Sequence, residues 1–473
     1  MSMLYEKVAE AIEAQIDRGL LKAGDRVPSV RHMSLREGVS VSTVIQSYML
    51  LEQRGLLEAK PQSGFYVRML SQQKPLREPD MQQIVPDASP VAVNDLVYEM
   101  LQVARDPSIL PLGAAGPSPE LFPEKQLNRI LRAILREEPH HSGRSSYPPG
   151  LKGLRTQIAR RSVEAGCLLS GDDIVITSGA FEAVTLCLRA VTQPGDAVAV
   201  ESPTHFSILQ MIESLNLKAV EIPSHPRTGL DLKTMEWALE NRTIRTGIFM
   251  PNFSNPLGSL MSDEAKKELV NLFADRNLPI IEDDIEGDLA HSNVRPKALK
   301  AFDQQGLVLW CSSFSKTISP GFRLGWSAPG QFRKAVEKLK YVTSMASPSL
   351  SELVIWRYLE SGSYDRHLRR LRRAYATQIN RVRQAVCRHF PSETKITQPC
   401  GGFVLWVELP KKVDSLEFYR KALAEKISIT PGTIFSPSGL YSNCIRLNCG
   451  QIWSARMEAA LVRLGEIAHR LSE

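Results

Sequence analysis

Residues 307–326 read LVLWCSSFSKTISPGFRLGW. The apolar run Leu307–Trp310 breaks into serines around a single lysine, Lys316, and Arg323 follows seven residues later. Four other short apolar runs end in the same abrupt way. Asp173–Ile176 precedes Thr-Ser-Gly-Ala, Ala197–Val200 precedes Glu-Ser-Pro-Thr-His, Gly247–Met250 precedes Pro-Asn-Phe-Ser-Asn-Pro, and Leu278–Ile281 precedes Glu-Asp-Asp. Helical patterns separate most of these runs. The alternation predicts an α/β domain with a mainly parallel central sheet and helices on both faces. Ligands of such sheets sit beyond the carboxyl ends of the strands, where all five polar clusters fall.

Those clusters define a chemistry. They offer one amine, Lys316, beside Ser313 and Ser315, and one carboxylate, Asp283, at the end of a buried run. Ser178-Gly179-Ala180 opens a helix whose free N–H groups suit a phosphate, with Arg323 as a cationic partner. An amine, an acid and a phosphate cradle match pyridoxal 5′-phosphate. The lysine would form a Schiff base with the aldehyde. The aspartate would keep the pyridinium nitrogen protonated and the ring an electron sink.

The amino-terminal residues read differently. Leu4, Val8, Ala11, Ile12 and Ile16 share one helix face, and Gly19 ends it. Pro28 and Ser29 open a second helix that stops at Gly38, and Ser40 is a suitable N-cap for a third. On that helix Val44, Tyr48 and Leu51 face inward, while Ser42, Thr43 and Gln46 fall opposite. Two β-like runs, 56–59 and 65–67, flank Pro61-Gln62-Ser63-Gly64. Three helices and a hairpin predict an α+β winged helix-turn-helix, whose short polar outer face can approach base edges in a major groove. Arg31 and Arg36 suit phosphates. Between the modules lie four prolines (75, 79, 86 and 90) and no clear period. The expected organisation is a winged helix over 1–69, an interdomain linker over 70–92 and the cofactor-binding domain over 93–473. Its large part spans about 113–335, and its small part about 336–473 together with 93–112.

Composition is that of an ordinary globular chain, with 473 residues, 43% hydrophobic and 23% charged. No apolar run reaches the ~18–20 residues a membrane helix needs, so no membrane partner is expected. The seven scattered cysteines form no CxxC pair, which argues against a disulfide framework or a metal site. With an acidic, amphipathic amino terminus unlike a secretory signal, the expected compartment is the cytoplasm. Net charge is +7, yet residues 1–70 hold nine Lys/Arg against eight Asp/Glu. Any DNA surface on the small module is therefore a local patch. Arg366–Arg373, RHLRRLRR, is a dense basic run on a predicted helix.

The stretch AGDRVPSVRHMSLREGVSVSTVIQSYMLLEQRGLLEAKPQSGFYV resembles the GntR-type regulators. By that resemblance Arg31, Ser42, Thr43 and the wing Gly64 contact double-stranded DNA, with Gln46 beside them. Val41 departs from the pattern, since many relatives place Arg there, and a strong guanine contact is expected to be missing. From about residue 110 onward the motifs SSFSKTISPGFRLGW, PNFSNPLG, IIEDDIEGDL, TSGAFEAV, GGFVLWVELP and CIRLNCG resemble fold-type I aminotransferases. The resemblance makes Lys316 the Schiff-base lysine and Asp283 the partner of the pyridine nitrogen. It places Asn255 on the ring hydroxyl, and Ser178, Gly179, Ala180, Ser313 and Arg323 on the phosphate. It assigns Arg446 to a substrate carboxylate and makes Tyr147 a residue contributed by the partner of a homodimer. Two positions depart from the family pattern. Glu286 stands where a tyrosine bonds the ring hydroxyl, and a carboxylate there is expected to repel an oxyanion and weaken transamination. His205 stands where an aromatic residue stacks on the ring.

A winged helix joined to such a domain resembles the MocR subfamily of the GntR regulators. The resemblance implies a transcriptional regulator that carries pyridoxal 5′-phosphate and senses a small amino compound or the vitamer itself. The alternatives are a working aminotransferase with a vestigial DNA-binding module, and a constitutive DNA binder whose large domain only dimerises.

Overall fold

The first three helices form because each end is chemically marked. In the computed structural model, which describes residues 4–22, 24–53, 56–60, 63–67, 76–91, 96–137 and 145–473, they are α1 (Leu4–Asp17), α2 (Val30–Glu37) and α3 (Val41–Gln53). Ser29 caps α2 through its hydroxyl, which accepts the His32 N–H, and Gly38 closes it at φ +63°. The Ser40 hydroxyl accepts the Thr43 N–H at 3.1 Å and so starts α3. Strands β1 (Leu57–Lys60) and β2 (Gly64–Val67) pair antiparallel as the wing. Val8, Ile12, Met33, Val44, Tyr48, Leu51 and Val67 fill one small core. Inside it the Tyr48 hydroxyl donates to the Pro28 carbonyl at 2.6 Å, tying α3 to the start of α2.

The large sheet runs in the order Ala88–Pro90, Lys218–His225, Ala197–Ser202, Ile244–Phe249, Ile280–Asp283, Val308–Ser313, Gly325–Ala328, Val175–Thr177. The five strands from Lys218–His225 to Val308–Ser313 are mutually parallel, Ala88–Pro90 and Gly325–Ala328 run antiparallel to them, and Val175–Thr177, antiparallel to Gly325–Ala328, runs with the five. Both faces are covered, which is why Ala197–Ser202 and Val308–Ser313 are buried along their whole length. Val184, Leu188, Ile248, Ile281 and Leu309 pack on one side. Ala199, Val220, Phe249, Leu269 and Phe273 pack on the other. A second, antiparallel sheet carries Lys395–Ile396, Val404–Glu408, Cys444–Asn448 and Thr430–Pro431. The helices Ser363–His389 and Ala455–Ser472 back it through Ile379, Val386, Leu461 and Leu464.

Two boundaries differ from the sequence expectation. Of the stretch 70–92, the described residues 76–91 are not a free linker. The Arg77 carbonyl accepts the Ile396 N–H at 2.9 Å, Asp80 pairs with Lys395 at 2.8 Å, and Ala88–Pro90 extend the large sheet. Proline-rich chain is compatible with this because an edge strand tolerates a missing donor. Residues 70–75 and 92 lie outside the described residues. The small part also does not begin at 336. Val336, Leu353, Val354, Ile355 and Tyr358 belong to the large part's cores, so the boundary falls at the Ser363–His389 helix.

Replacing Tyr48 by Phe removes the donor from a half-buried carbonyl and costs about 1–2 kcal/mol locally. Hydrogen exchange at Val44 and Leu51 should speed up roughly 5–30-fold, with amides of the large sheet unchanged.

Candidate functional site

Asp283 is the last residue of its strand, and its position is set by its neighbour. Asp284 is buried and accepts from Asn252 Nδ2 at 2.9 Å, from Trp310 Nε1 at 2.9 Å, and from Arg295, which also binds Asp288 at 2.7 Å. This network pins the turn 283–288 to the adjacent strand. Asp283 then accepts the Ile285 N–H at 3.3 Å and lies close enough to Lys316 to interact with it. Burial pushes its carboxyl up to about 7, and Asp284 adds to the shift.

Lys316 lies in the turn after Val308–Ser313. Its amine donates to the Ala115 carbonyl and sits 5.6 Å from the centre of the Phe403 ring. Burial lowers its pKa, opposed by Glu286 and Asp283 and reinforced by Arg446. An amine held toward its neutral form is the form that attacks an aldehyde. Arg446 is 1% exposed and donates to Asn255 Oδ1 at 2.9 Å and to the Gly113 carbonyl at 2.7 Å. Since Asn255 Oδ1 accepts from Arg446, its amide N–H groups are left to donate elsewhere.

The phosphate residues also meet. Gly179 has φ +94° at the start of the Ala180–Val191 helix, and a Cβ there would fall 2.7 Å from Arg323 Nη2. Arg323 donates to the Ser178 carbonyl at 3.2 Å. Glu182, held by Lys340 at 2.7 Å, accepts the Ser178 N–H at 2.6 Å, so that amide is already engaged. The Ser313 hydroxyl accepts the Ser315 N–H at 3.3 Å. Anionic phosphate suits a helix amino terminus and a guanidinium. Together with the amine and the acid, these residues fit pyridoxal 5′-phosphate.

His205 caps the Phe206–Ser214 helix. Its Nδ1 accepts the Ser207 N–H at 3.3 Å, and its ring stacks on Phe206 with centroids 4.4 Å apart. Burial, Arg446 and Lys316 lower its pKa well below the ordinary range, so the ring is neutral. Tyr147 is 57% exposed, and its ring lies 6.5 Å from that of Tyr341. Phe181, Val342 and Met345, on or beside the helices nearby, are also more than half exposed.

Glu286, the position expected to repel an oxyanion, is 2% exposed. Both carboxyl oxygens are buried without a hydrogen-bond partner, and burial pushes its pKa up to about 7 against the pull of Lys316. Burial thus shifts Glu286 toward its protonated form, while Lys316 and Arg446 pull it toward the carboxylate.

Sequence reasoning missed the Gly113–Gly116 loop, Thr430 and Phe206, while Phe403, read from the sequence as a core residue, is buried in a core cluster beside Lys316. The loop's small residues LGAAG are the only signal, and Gly113 is needed because a Cβ would sit 2.7 Å from the Ile429 carbonyl carbon. A cavity of about 420 Å³ opens over Lys316, Arg446, His205 and Phe206, walled by Val97 and Met100 of the Leu96–Val103 helix.

In the small module Arg31, Ser42 and Gln46 are exposed and Thr43 is half-buried. The hydroxyls of Ser42 and Thr43 each lie 2.8 Å from that of Ser40. Gly64 is exposed at φ +103° with the Arg26 side chain alongside, and sequence reasoning passed over that arginine. Among the described residues no helix is long and apolar enough to cross a membrane.

Residues 119–464 match the family aminotransferase class I and II, and residues 4–67 match the bacterial regulatory proteins of the gntR family. The chain belongs to both families. This fusion is the MocR-type arrangement of the GntR regulators. The chain is 40% identical over 463 residues, 98% of each chain, to the uncharacterized HTH-type transcriptional regulator YdcR of Escherichia coli K12. It is 38% identical over 469 residues, 99% of each, to the uncharacterized HTH-type transcriptional regulator YjiR of the same organism. The crystal structure of LysN, the alpha-aminoadipate aminotransferase of Thermus thermophilus complexed with N-(5′-phosphopyridoxyl)-L-leucine, matches with TM-score 0.74 and 26% identity. That match covers 79% of this chain and 94% of LysN. The DNA-binding module and the aminotransferase fold are thus combined in one MocR-type chain.

The buried Glu286 makes a pH prediction. Its folded pKa lies above the ordinary carboxyl value, so the folded state holds the proton more tightly and stability falls as pH rises from about 4.5 to about 7. Glu286→Gln removes that penalty. In cofactor-free protein it should be about 1–3 kcal/mol more stable than the parent at pH 8, with the gap closing toward pH 5 when thermal midpoints are compared.

Proposed function

We propose that this MocR-type chain is a pyridoxal 5′-phosphate-holding transcriptional regulator, which senses an amino compound or the vitamer in its large domain and binds an operator through its winged helix. The observation that carries the reading is the convergence of Lys316, Asp283 and the Gly179–Arg323 cradle on one sheet edge, in the same chain as a DNA-binding module. When bound, the cofactor supplies an aldehyde carbon that amines attack and a ring that accepts electron density.

Each side chain has a role in this reading. Lys316 provides the amine, and Asp283 holds the ring nitrogen. Gly179, Ala180, Ser178, Ser313 and Arg323 hold the phosphate. The neutral His205 ring stacks without adding charge. Asn255, oriented by Arg446, donates to the ring hydroxyl, and Glu286 donates beside it below about pH 7. Arg446 meets a ligand carboxylate at the floor of the cavity, where its Nε lacks a partner. Arg31, Ser42, Thr43, Gln46 and Gly64 meet the DNA. The exposed apolar group of Tyr147, Phe181, Tyr341, Val342 and Met345 supports a homodimer in which Tyr147 reaches the partner's site. The compartment in this reading is the cytoplasm.

A second reading, an active aminotransferase, draws support from the Arg446–Asn255 pair. It also draws support from relatives such as the 2-aminoadipate transaminase of Thermus thermophilus, 28% identical over 374 residues, 78% of this chain and 92% of that protein. Titration separates the two. α-Amino acids, ω-amino acids and pyridoxamine 5′-phosphate are added to the loaded protein while visible absorption and DNA affinity are followed together. A sensor changes both, with affinity shifting roughly 5–150-fold, and Lys316→Ala abolishes the response while leaving DNA binding intact. Spectral change with constant DNA affinity overturns sensing. Repeated turnover with a 2-oxo acid establishes the second reading.

A further inference from the structure

The winged helix is nearly charge-balanced, with nine Lys/Arg against eight Asp/Glu over residues 1–70, so nearly all of the chain's net charge of +7 lies elsewhere. A protein that grips DNA needs cations for phosphates, because those contacts supply most of the sequence-independent affinity. The Glu124–Glu137 helix has them. It buries Leu127 and Ile134 and exposes Lys125, Arg129, Arg132 and Arg136. At 1.5 Å per residue, steps of four, three and four residues set these cations about 5–6 Å apart along one stripe about 17 Å long. That is close to the spacing of successive phosphates on one strand.

The stripe continues onto a second helix. Ser363–His389 buries Leu368 and Leu371 and exposes Arg366, Arg369, Arg370 and Arg373. One surface depression is walled by Lys125 on the first helix and by Arg366 and Arg370 on the second. A second depression runs from Lys125 past Arg129 and Arg132 to Arg136. Some neighbouring acids are engaged, with Glu137 on Arg357 at 2.8 Å and Asp365 on Arg161 at 2.7 Å. Glu120 and Glu124 line the first depression beside the cations, whereas the second depression has no acid in its wall. Among the described residues none of the eight cations has an acidic partner. Eight unneutralised cations repel one another, and a stripe of this kind is matched by a regular polyanion.

We propose that this two-helix stripe on the aminotransferase-fold domain is a second, sequence-independent DNA contact, which holds the phosphate backbone of duplex flanking the site read by the winged helix. It is distinct from the cofactor cleft and extends the proposed operator contact beyond Arg31, Ser42, Thr43, Gln46 and Gly64.

The test uses full-length protein loaded with pyridoxal 5′-phosphate and the triple variant Arg129→Gln/Arg132→Gln/Arg136→Gln. The probes are mixed-sequence duplexes of about 60 and about 20 base pairs, each measured over a range of KCl concentrations. The slope of log affinity against log salt should flatten by about 0.9 for each phosphate that is no longer neutralised. The triple variant should therefore lose about 2–3 from the slope on the longer duplex and less on the shorter one. The matching Arg→Lys triple should keep the parent slope, and visible absorption and thermal midpoint should not move in either variant. An unchanged slope on the long duplex overturns the proposal. So does a loss seen only on vesicles containing phosphatidylserine, which would assign the stripe to an anionic membrane surface.

Discussion

Five ionisable side chains, Lys316, Asp283, Glu286, Arg446 and His205, are buried close enough to interact, and the cost of burying them together constrains everything around them. Burial drives each toward its neutral form, lowering Lys316 and Arg446 and raising Asp283 and Glu286. Opposite charges within the group oppose that drift, so the cleft is poised between states. A ligand that brings a phosphate, a ring nitrogen and an aldehyde supplies what the cleft lacks. In the proposed reading Arg323 would hold the phosphate, Asp283 the ring nitrogen, and Lys316 would supply the amine for the aldehyde. The protein positions these partners through rigid neighbours such as the Asp284–Arg295–Trp310 network, so that little reorganisation remains for the moment of binding.

The small and large parts meet at this cleft. Lys316 and Asp283 come from the parallel sheet, Arg446 and Phe403 from the antiparallel one, and Ala115 and Gly113 from the chain that joins them. In the proposed reading, a ligand touching both sheets would bear on their spacing, and so would couple occupancy to the rest of the chain only by binding two states with different affinity.

Much of this was legible in the sequence, for identifiable reasons. Strands buried on both faces leave continuous apolar runs, and their carboxyl ends leave polar clusters, so Lys316 and Asp283 stood out. Local hydrogen bonds mark helix ends, so Ser29, Gly38 and Ser40 were readable as caps. What depends on distant chain was not. The pairing of Ala88–Pro90 with Val220 lies across more than a hundred residues, and prolines alone suggested a linker. The helices Arg333–Ser344 and Ser349–Glu360 look like any amphipathic helix, and only packing assigns them to the large part, Val336 with Val184 and Leu188, and Leu353 and Ile355 with Ile176 and Trp326. The upward shift of Glu286 follows from its burial, which no residue near it in sequence reveals.

The central claim is a covalent bond between one amine and one aldehyde, and mass spectrometry reads it directly. Protein incubated with pyridoxal 5′-phosphate, reduced with borohydride and digested should carry the mass of one reduced cofactor on the peptide containing Lys316, and nowhere on the Lys316→Ala variant. Folded protein whose Lys316 peptide stays unmodified after this treatment would contradict the account.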